Sequence, residues 1–128
     1  MNGMAEETIL FFDTYAILEI ISGNANYKNY LKNIGIVTTK LNLMELYYRL
    51  YILHGLETAE FYYQKYKPFV MEVDDLTIKK AMIFKAENRK KDLSYVDCIG
   101  YVFAKENKIK FLTGDIQFKD MDNVEFVR

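Results

Sequence analysis

Four carboxylates stand at positions where a fold could gather them into one site. Asp13 directly follows the apolar run Thr8–Phe12, and Asp115 follows a second such run. Glu45 lies in a long apolar helical segment, and Asp97 opens another. Clustered carboxylates repel one another and are costly to bury, so a fold that gathers four of them needs a compensating cation. Mg²⁺ and Mn²⁺ prefer oxygen ligands of this kind, and one or two such ions can activate water and stabilise in-line displacement at a phosphodiester.

Each acid also has a purely structural interpretation. Asp13 could be a helix N-cap, and Asp115 could be a turn residue. The pattern Ser94-x-x-Asp97 before an apolar run fits a capping box. Glu45 lies too far inside its helix to cap it, but it could form an exposed ion pair with Arg49, four residues later. Capping does not exclude metal binding, because a helix end can also fix a ligand rigidly.

The composition argues against several other chemistries. His54 is the only histidine and Cys98 the only cysteine. We expect His54 to cap a helix end beside Gly55, and Cys98 to be a small core residue. An internal disulfide is impossible, and neither a nucleophilic triad nor a Cys/His zinc site is expected. Acid-based metal chemistry needs no histidine.

The overall charge does not identify a partner, since 17 Lys and Arg residues stand against 18 Asp and Glu residues. Basic residues recur between positions 79 and 91, where they could contact phosphates or form a solvated helix face. They are Lys79, Lys80, Lys85, Arg89, Lys90 and Lys91. Residues 1–7 are too polar for a signal peptide, and no apolar run approaches membrane-spanning length. We therefore expect a cytoplasmic protein without membrane contact.

Strand-like and helix-like segments alternate along the chain. The predicted strands are Thr8–Phe12, Gly35–Thr38, Phe69–Val73, Lys108–Leu112 and Val124–Val127. The predicted helices are Thr14–Ile21, Tyr27–Asn33, a helix from Thr39 to about His54, Glu57–Lys67, a helix from Leu76 to about Lys91, and the apolar helix that Asp97 opens. This alternation predicts an α/β fold for a single domain, residues 1–128, with a mostly parallel sheet of about five strands between helices. Ligands bind beyond the carboxyl ends of such strands, where Asp13 and Asp115 fall.

Four short motifs follow one another along nearly the whole chain. They are Phe12-Asp13-Thr14 with Ile17-Leu18, Thr39 with Asn42 and Glu45, Leu93-Ser94-Tyr95-Val96-Asp97 with Ile99 and Ala104, and Phe111-Leu112-Thr113-Gly114-Asp115 with Phe118. Their order and spacing resemble those of the PIN-domain nucleases, in particular the compact VapC-type toxins.

The resemblance implies a PIN-like three-layer αβα sandwich and a Mg²⁺- or Mn²⁺-dependent endoribonuclease. Asp13, Glu45, Asp97 and Asp115 would be the catalytic metal ligands, with Thr113 as a supporting hydroxyl. It also implies a homodimer that acts on RNA and is the toxin of a toxin–antitoxin pair, held inactive by an antitoxin.

Further residues could assist this site. Thr14, Asp92 and Asp120 lie near the motifs as possible supports. Arg49, Lys85 and Arg89 are candidates for contact with RNA. The helices on either side of Gly55 are rich in tyrosine, which could form core or a partner surface; these residues are Tyr47, Tyr48, Tyr51, Tyr62, Tyr63 and Tyr66.

Two other functions remain open at this point. Gly114-Asp115 with Asp120 resembles the final acidic motif of haloacid-dehalogenase-like phosphatases, with Asp13 as nucleophile. However, that family's first motif needs a second acid two residues later, where this chain has Tyr15. The second alternative is a non-catalytic binding module that keeps the PIN fold and uses its tyrosine-rich helices to hold a partner.

Overall fold

The computed structural model describes residues 7–128. Residues 1–6, which belong to the N-terminal segment predicted not to be a signal peptide, therefore lie outside the described residues. The strands are β1 (Thr8–Phe12), β2 (Ile34–Val37), β3 (Lys110–Thr113) and β4 (Val124–Phe126). The α-helices are α1 (Thr14–Ile21), α2 (Lys40–His54), α3 (Leu56–Tyr66), α4 (Asp75–Glu87) and α5 (Tyr95–Glu106). Three short 3-10 segments cover Ala25–Tyr30, Lys67–Phe69 and Ile116–Phe118.

The four strands form one parallel sheet in the order β2-β1-β3-β4. The expected strand Phe69–Val73 does not form, and a single bridge from Val70 to Thr38 remains at the β2 edge. Phe69 and Val70 pack against the core, but Pro68 lies in a 3-10 turn just before them, and Met71 and Glu72 after the bridge are exposed. The regular part of this segment is therefore too short to form a strand. The described sheet therefore has four strands where about five were predicted.

Two hydrophobic cores lie on opposite faces of the sheet, because neighbouring residues of a strand point in opposite directions. Phe12 packs with α1, α2 and α3, whereas Phe11 packs with α5 and one side of α4. Gly100 lets α5 approach closely, since a Cβ there would lie 2.9 Å from the Phe11 ring. The result is the predicted three-layer αβα sandwich.

Two predicted helices are shorter than expected. The segment predicted over Tyr27–Asn33 is the 3-10 turn Ala25–Tyr30, and α4 ends at Glu87 instead of near Lys91. The Asn88 side chain donates to the Phe84 carbonyl and ends α4 there. The basic residues beyond Asn88 therefore lie in a loop.

The tyrosine-rich α2–α3 pair contributes both to the core and to the surface. Tyr66 is buried, Tyr47, Tyr62 and Tyr63 are half-buried, and Tyr48 and Tyr51 are exposed. Among residues 7–128, no helix has the length and apolar character needed to cross a membrane.

Candidate active site

The first acid lies where β1 and β3 end side by side. Asp13 is only 2 % exposed, and its N–H donates to the Leu112 carbonyl at 3.1 Å. Its Oδ1 caps α1 by accepting the Thr14 N–H at 2.9 Å, and its Oδ2 accepts the Thr113 hydroxyl at 2.8 Å. The N-cap interpretation is therefore correct, and the cap also holds Asp13 at the carboxyl edge of the sheet.

A buried polar relay positions Glu45. Thr39 caps α2 and donates its hydroxyl to Asn42 Oδ1 at 2.6 Å, while Asn42 Nδ2 donates to Thr14 Oγ1 at 3.1 Å. Thr14 in turn donates its hydroxyl to Glu45 Oε1 at 2.9 Å. Asn42 is fully buried and was not among the predicted site residues, although it belongs to the second motif. The signal in the sequence that could have identified Asn42 is a side-chain amide three residues after a helix cap, among apolar residues.

Asp97 forms the predicted capping box at the start of α5. Ser94 N–H donates to Asp97 Oδ2 at 3.0 Å, and Asp97 N–H donates to Ser94 Oγ at 3.0 Å. The side chain is thereby held at the helix mouth, where it lines the same cleft as Asp13 and Asp115.

Asp115 caps the 3-10 segment after β3, since its Oδ1 accepts the Gln117 N–H at 3.0 Å. Its own N–H donates to Thr113 Oγ1 at 3.1 Å, so the Thr113 hydroxyl connects Asp115 with Asp13. Gly114 is required between them, because a Cβ there would lie 2.3 Å from both the Tyr15 ring and the Val127 carbonyl oxygen.

The four acids form one electrostatic cluster. Burial raises the pKa of Asp13, and the charges of Asp97 and Glu45 raise it further. Burial also raises the pKa of Glu45 and of Asp97; Asp97 adds to the effect on Glu45, and Asp115 adds to the effect on Asp97. Two cations act in the opposite direction, since Arg49 lowers the pKa of Glu45 and Lys85 lowers that of Asp97. The cluster therefore carries uncompensated negative charge when it ionises.

Three of the acids use one oxygen for structure and leave the other free. Within the described chain, Glu45 Oε2, Asp97 Oδ1 and Asp115 Oδ2 make no hydrogen bond. No three acidic, histidine or cysteine side chains of residues 7–128 lie close enough together to hold a metal ion as they stand. The donors are nevertheless all oxygen and share one cleft, which suits a hard divalent ion that keeps several of its waters. The residues present fit such an ion.

The cleft that the acids share has a volume of about 1100 Å³. Its lining includes the four acids with Thr14 and Ser94, and a fifth acid, Glu19, lines it together with Ser22, Arg49 and His54. The remaining wall is largely apolar and aromatic, formed by Tyr15, Leu18, Ile21, Met44, Tyr48, Leu50 and Leu53. This volume accommodates a ligand much larger than a metal ion.

The other predicted residues divide into two groups. Thr14 and Thr113 contact the acids, and Arg49 lines the cleft without forming the expected ion pair with Glu45 among the described residues. Lys85 does not line the cleft, although its charge lowers the pKa of Asp97. Asp92, Asp120 and Arg89 are exposed and do not line the cleft.

The model of the PIN domain family matches residues 10–124, so the chain belongs to the PIN domain family, as its motifs predicted. A comparison with curated protein sequences found no significant match.

Solved structures show the same fold. A toxin–antitoxin complex from Klebsiella pneumoniae matches with a TM-score of 0.73 and 16% identity, covering 91% of this chain and 95% of the other. The sarcin-ricin loop cleaving toxin VapC20 of Mycobacterium tuberculosis matches with a TM-score of 0.71 and 17% identity, covering 91% and 92%. The VapBC2 complex of Rickettsia felis, bound to a promoter DNA fragment, matches with a TM-score of 0.70 and 17% identity, covering 94% and 100%.

Proposed function

We propose that this single PIN-like domain is an endoribonuclease that depends on Mg²⁺ or Mn²⁺ and hydrolyses phosphodiester bonds. The observation that carries the proposal is the convergence of Asp13, Glu45, Asp97 and Asp115 on one cleft, with three carboxylate oxygens left free. Acids that only cap helices would not need to share a cleft and raise one another's pKa. Membership of the PIN family supports the same function.

Each acid has a stated part in this proposal. Glu45, Asp97 and Asp115 would bind the ion or its waters through their free oxygens, and Asp13 would anchor the centre. When bound, the ion supplies charge stabilisation and a more acidic water. Thr113 holds Asp13, and Thr14 holds Glu45. Arg49, at the cleft wall, is placed to contact a phosphate of the substrate.

RNA is the proposed substrate, and an antitoxin protein is the proposed partner. One neighbour of similar fold is described as a toxin that cleaves the sarcin-ricin loop, and another is described as a toxin–antitoxin complex. On this basis we propose that the protein is a toxin. The resemblance of its motifs to those of VapC-type toxins is the ground for proposing a homodimer, and the composition of the sequence is the ground for proposing a cytoplasmic location. Light scattering of the purified chain tests the dimer, and co-purification with the product of the adjacent gene tests the antitoxin.

The test of catalysis is cleavage of a structured RNA by the purified chain with Mg²⁺, with Mn²⁺ and with a chelator. We expect cleavage with either metal and none with the chelator. Asp97→Asn should abolish cleavage while the protein stays folded, because an asparagine Oδ1 can still accept the Ser94 N–H. Full cleavage by that variant would overturn the proposal.

The two alternatives predict different results. A phosphatase would hydrolyse small phosphomonoesters and would not cleave RNA. The position at which that family needs its second acid is occupied here by Tyr15, whose ring lies close to Gly114. A binding module would bind no divalent ion at the acid cleft. Calorimetric titration with Mn²⁺ separates the module from the nuclease.

A further inference from the structure

Two lysines, Lys85 in the last turn of α4 and Lys91 in the loop after it, contact the backbone of the two segments that carry Asp97 and Asp115. The Lys85 ammonium donates to the Leu93 carbonyl and lies 4.9 Å from the centre of the Tyr95 ring. The Lys91 ammonium donates to the Gln117 carbonyl at 2.9 Å. Both lysines are only partly exposed, whereas Lys90 between them in the basic run is exposed.

The two contacted carbonyls belong to peptide units that already hold the acids. The Leu93 carbonyl shares its peptide unit with the Ser94 N–H, which donates to Asp97 Oδ2 at 3.0 Å. The Gln117 carbonyl shares its unit with the Phe118 N–H, which donates to the Asp115 carbonyl at 2.9 Å. A cation on a carbonyl polarises the peptide and strengthens the hydrogen bond made by its N–H. Each lysine therefore acts on the bond that orients an acid or its backbone.

We propose that Lys85 and Lys91 are positioning residues that fix these two peptide units, and thereby keep Asp97 and Asp115 aimed at the cleft. This inference deepens the proposed function and rests on it for the role of the acids. The basic residues between positions 79 and 91 then have different roles. Lys85 and Lys91 act within the protein, while Lys90 and Arg89 remain open to solvent.

The first measurement is backbone amide hydrogen exchange, which does not depend on a metal. In Lys85→Met we expect the amides of Ser94, Asp97 and Cys98 to exchange about tenfold faster, the effect of losing one charged hydrogen bond. In Lys91→Met we expect the same at Gln117 and Phe118 only. Lys90→Met is the matched control and should change neither segment, and Lys85→Arg should restore protection because it keeps both the donor and the charge.

The second measurement is Mn²⁺ affinity at pH 8. Loss of a supporting residue should weaken binding by about 10- to 100-fold. If a lysine acted on the site only through its charge, its loss would change the Mn²⁺ affinity in the opposite direction. Its removal would strengthen binding, because a divalent ion is repelled more than the single proton that it displaces.

Faster exchange in the predicted segment together with weaker Mn²⁺ binding supports the proposal. Unchanged exchange, faster exchange throughout the sheet, or tighter Mn²⁺ binding in Lys85→Met overturns it. If the wild-type protein bound no Mn²⁺, the proposed function would fail. The exchange data would still decide whether the lysines hold the two segments.

Discussion

The Thr113 hydroxyl donates to Asp13 Oδ2 at 2.8 Å, joining the ends of two parallel strands that are a hundred residues apart in sequence. The Thr113 hydroxyl oxygen, Oγ1, also accepts the Asp115 N–H at 3.1 Å. One buried hydroxyl therefore fixes the spacing between two of the four acids. Thr113 is fully buried, so water cannot replace it without a rearrangement.

Thr113→Val tests this link, because valine has nearly the same shape and lacks the hydroxyl. It would leave Asp13 Oδ2 and the Asp115 N–H without a partner. We expect the free energy of unfolding to fall by about 1–3 kcal/mol and RNA cleavage to drop with it. Thr113→Ser keeps the hydroxyl and is the control. Equal stability of the valine variant and wild type, measured by urea denaturation, would show that the link is unimportant.

Ser94 and Asp97 allow capping to be separated from catalysis. Ser94→Ala removes the cap and should lower stability by about 0.5–2 kcal/mol. Asp97→Asn keeps an oxygen for the Ser94 N–H and loses only the charge at the cleft. We expect it to retain stability and to lose cleavage by at least about 100-fold, because removing a metal-binding acid should cost no less than removing a partner outside the first coordination shell. Wild-type cleavage by Asp97→Asn would mean that Asp97 only caps.

The stability of the metal-free protein should fall as pH rises. Asp13, Glu45 and Asp97 have pKa values raised mainly by burial, so the folded state binds protons more tightly than the unfolded state. The free energy of unfolding therefore begins to fall above the unfolded-state pKa of about 4. It keeps falling until the pH exceeds the raised pKa values of the folded state. Acids with lowered pKa, such as Asp122, have the opposite effect only near or below about pH 4. A thermal melt should therefore give a higher Tm at pH 5 than at pH 8.

The same experiment has two internal controls. Saturating Mg²⁺ should reduce the difference in Tm, because an ion that binds the ionised acids stabilises the folded state at high pH. Asp97→Asn should also reduce it, since one of the repelling charges is gone. A Tm that rises from pH 5 to pH 8 without metal would contradict the assigned electrostatics.

Gly114→Ala should destabilise the protein. The new Cβ would meet the Tyr15 ring, which can move, and the Val127 carbonyl oxygen, which belongs to the backbone. We expect a loss of about 1–3 kcal/mol, typical of overpacking a tight site. The double variant with Tyr15→Ala should recover only part of that loss. Wild-type stability of Gly114→Ala in urea denaturation would show that the β3–Asp115 turn can shift freely.

The placement of the four acids at one cleft could be anticipated because their positions depend on local rules. Asp13 follows a buried strand, Asp97 completes a capping box, and both patterns can be read within a few residues. The relay through Asn42 could not be read in this way, because its partner Thr14 belongs to another helix. The roles of Lys85 and Lys91 also depend on contacts of their ammonium groups with loop carbonyls outside α4, which no local pattern indicates. The segment Phe69–Val73 has a suitable apolar composition, but the Pro68 turn before it and the exposed Met71 and Glu72 within it limit its pairing to a single bridge.

Mn²⁺ bound in a crystal of the wild-type protein is the most direct test of the central claim, that the four acids form a divalent metal site. Anomalous diffraction locates manganese without reference to the protein coordinates. We predict a strong peak in the cleft among Asp13, Glu45, Asp97 and Asp115, which is lost in Asp97→Asn crystals. The absence of a peak there at saturating Mn²⁺, or an unchanged peak in the variant, would contradict the account.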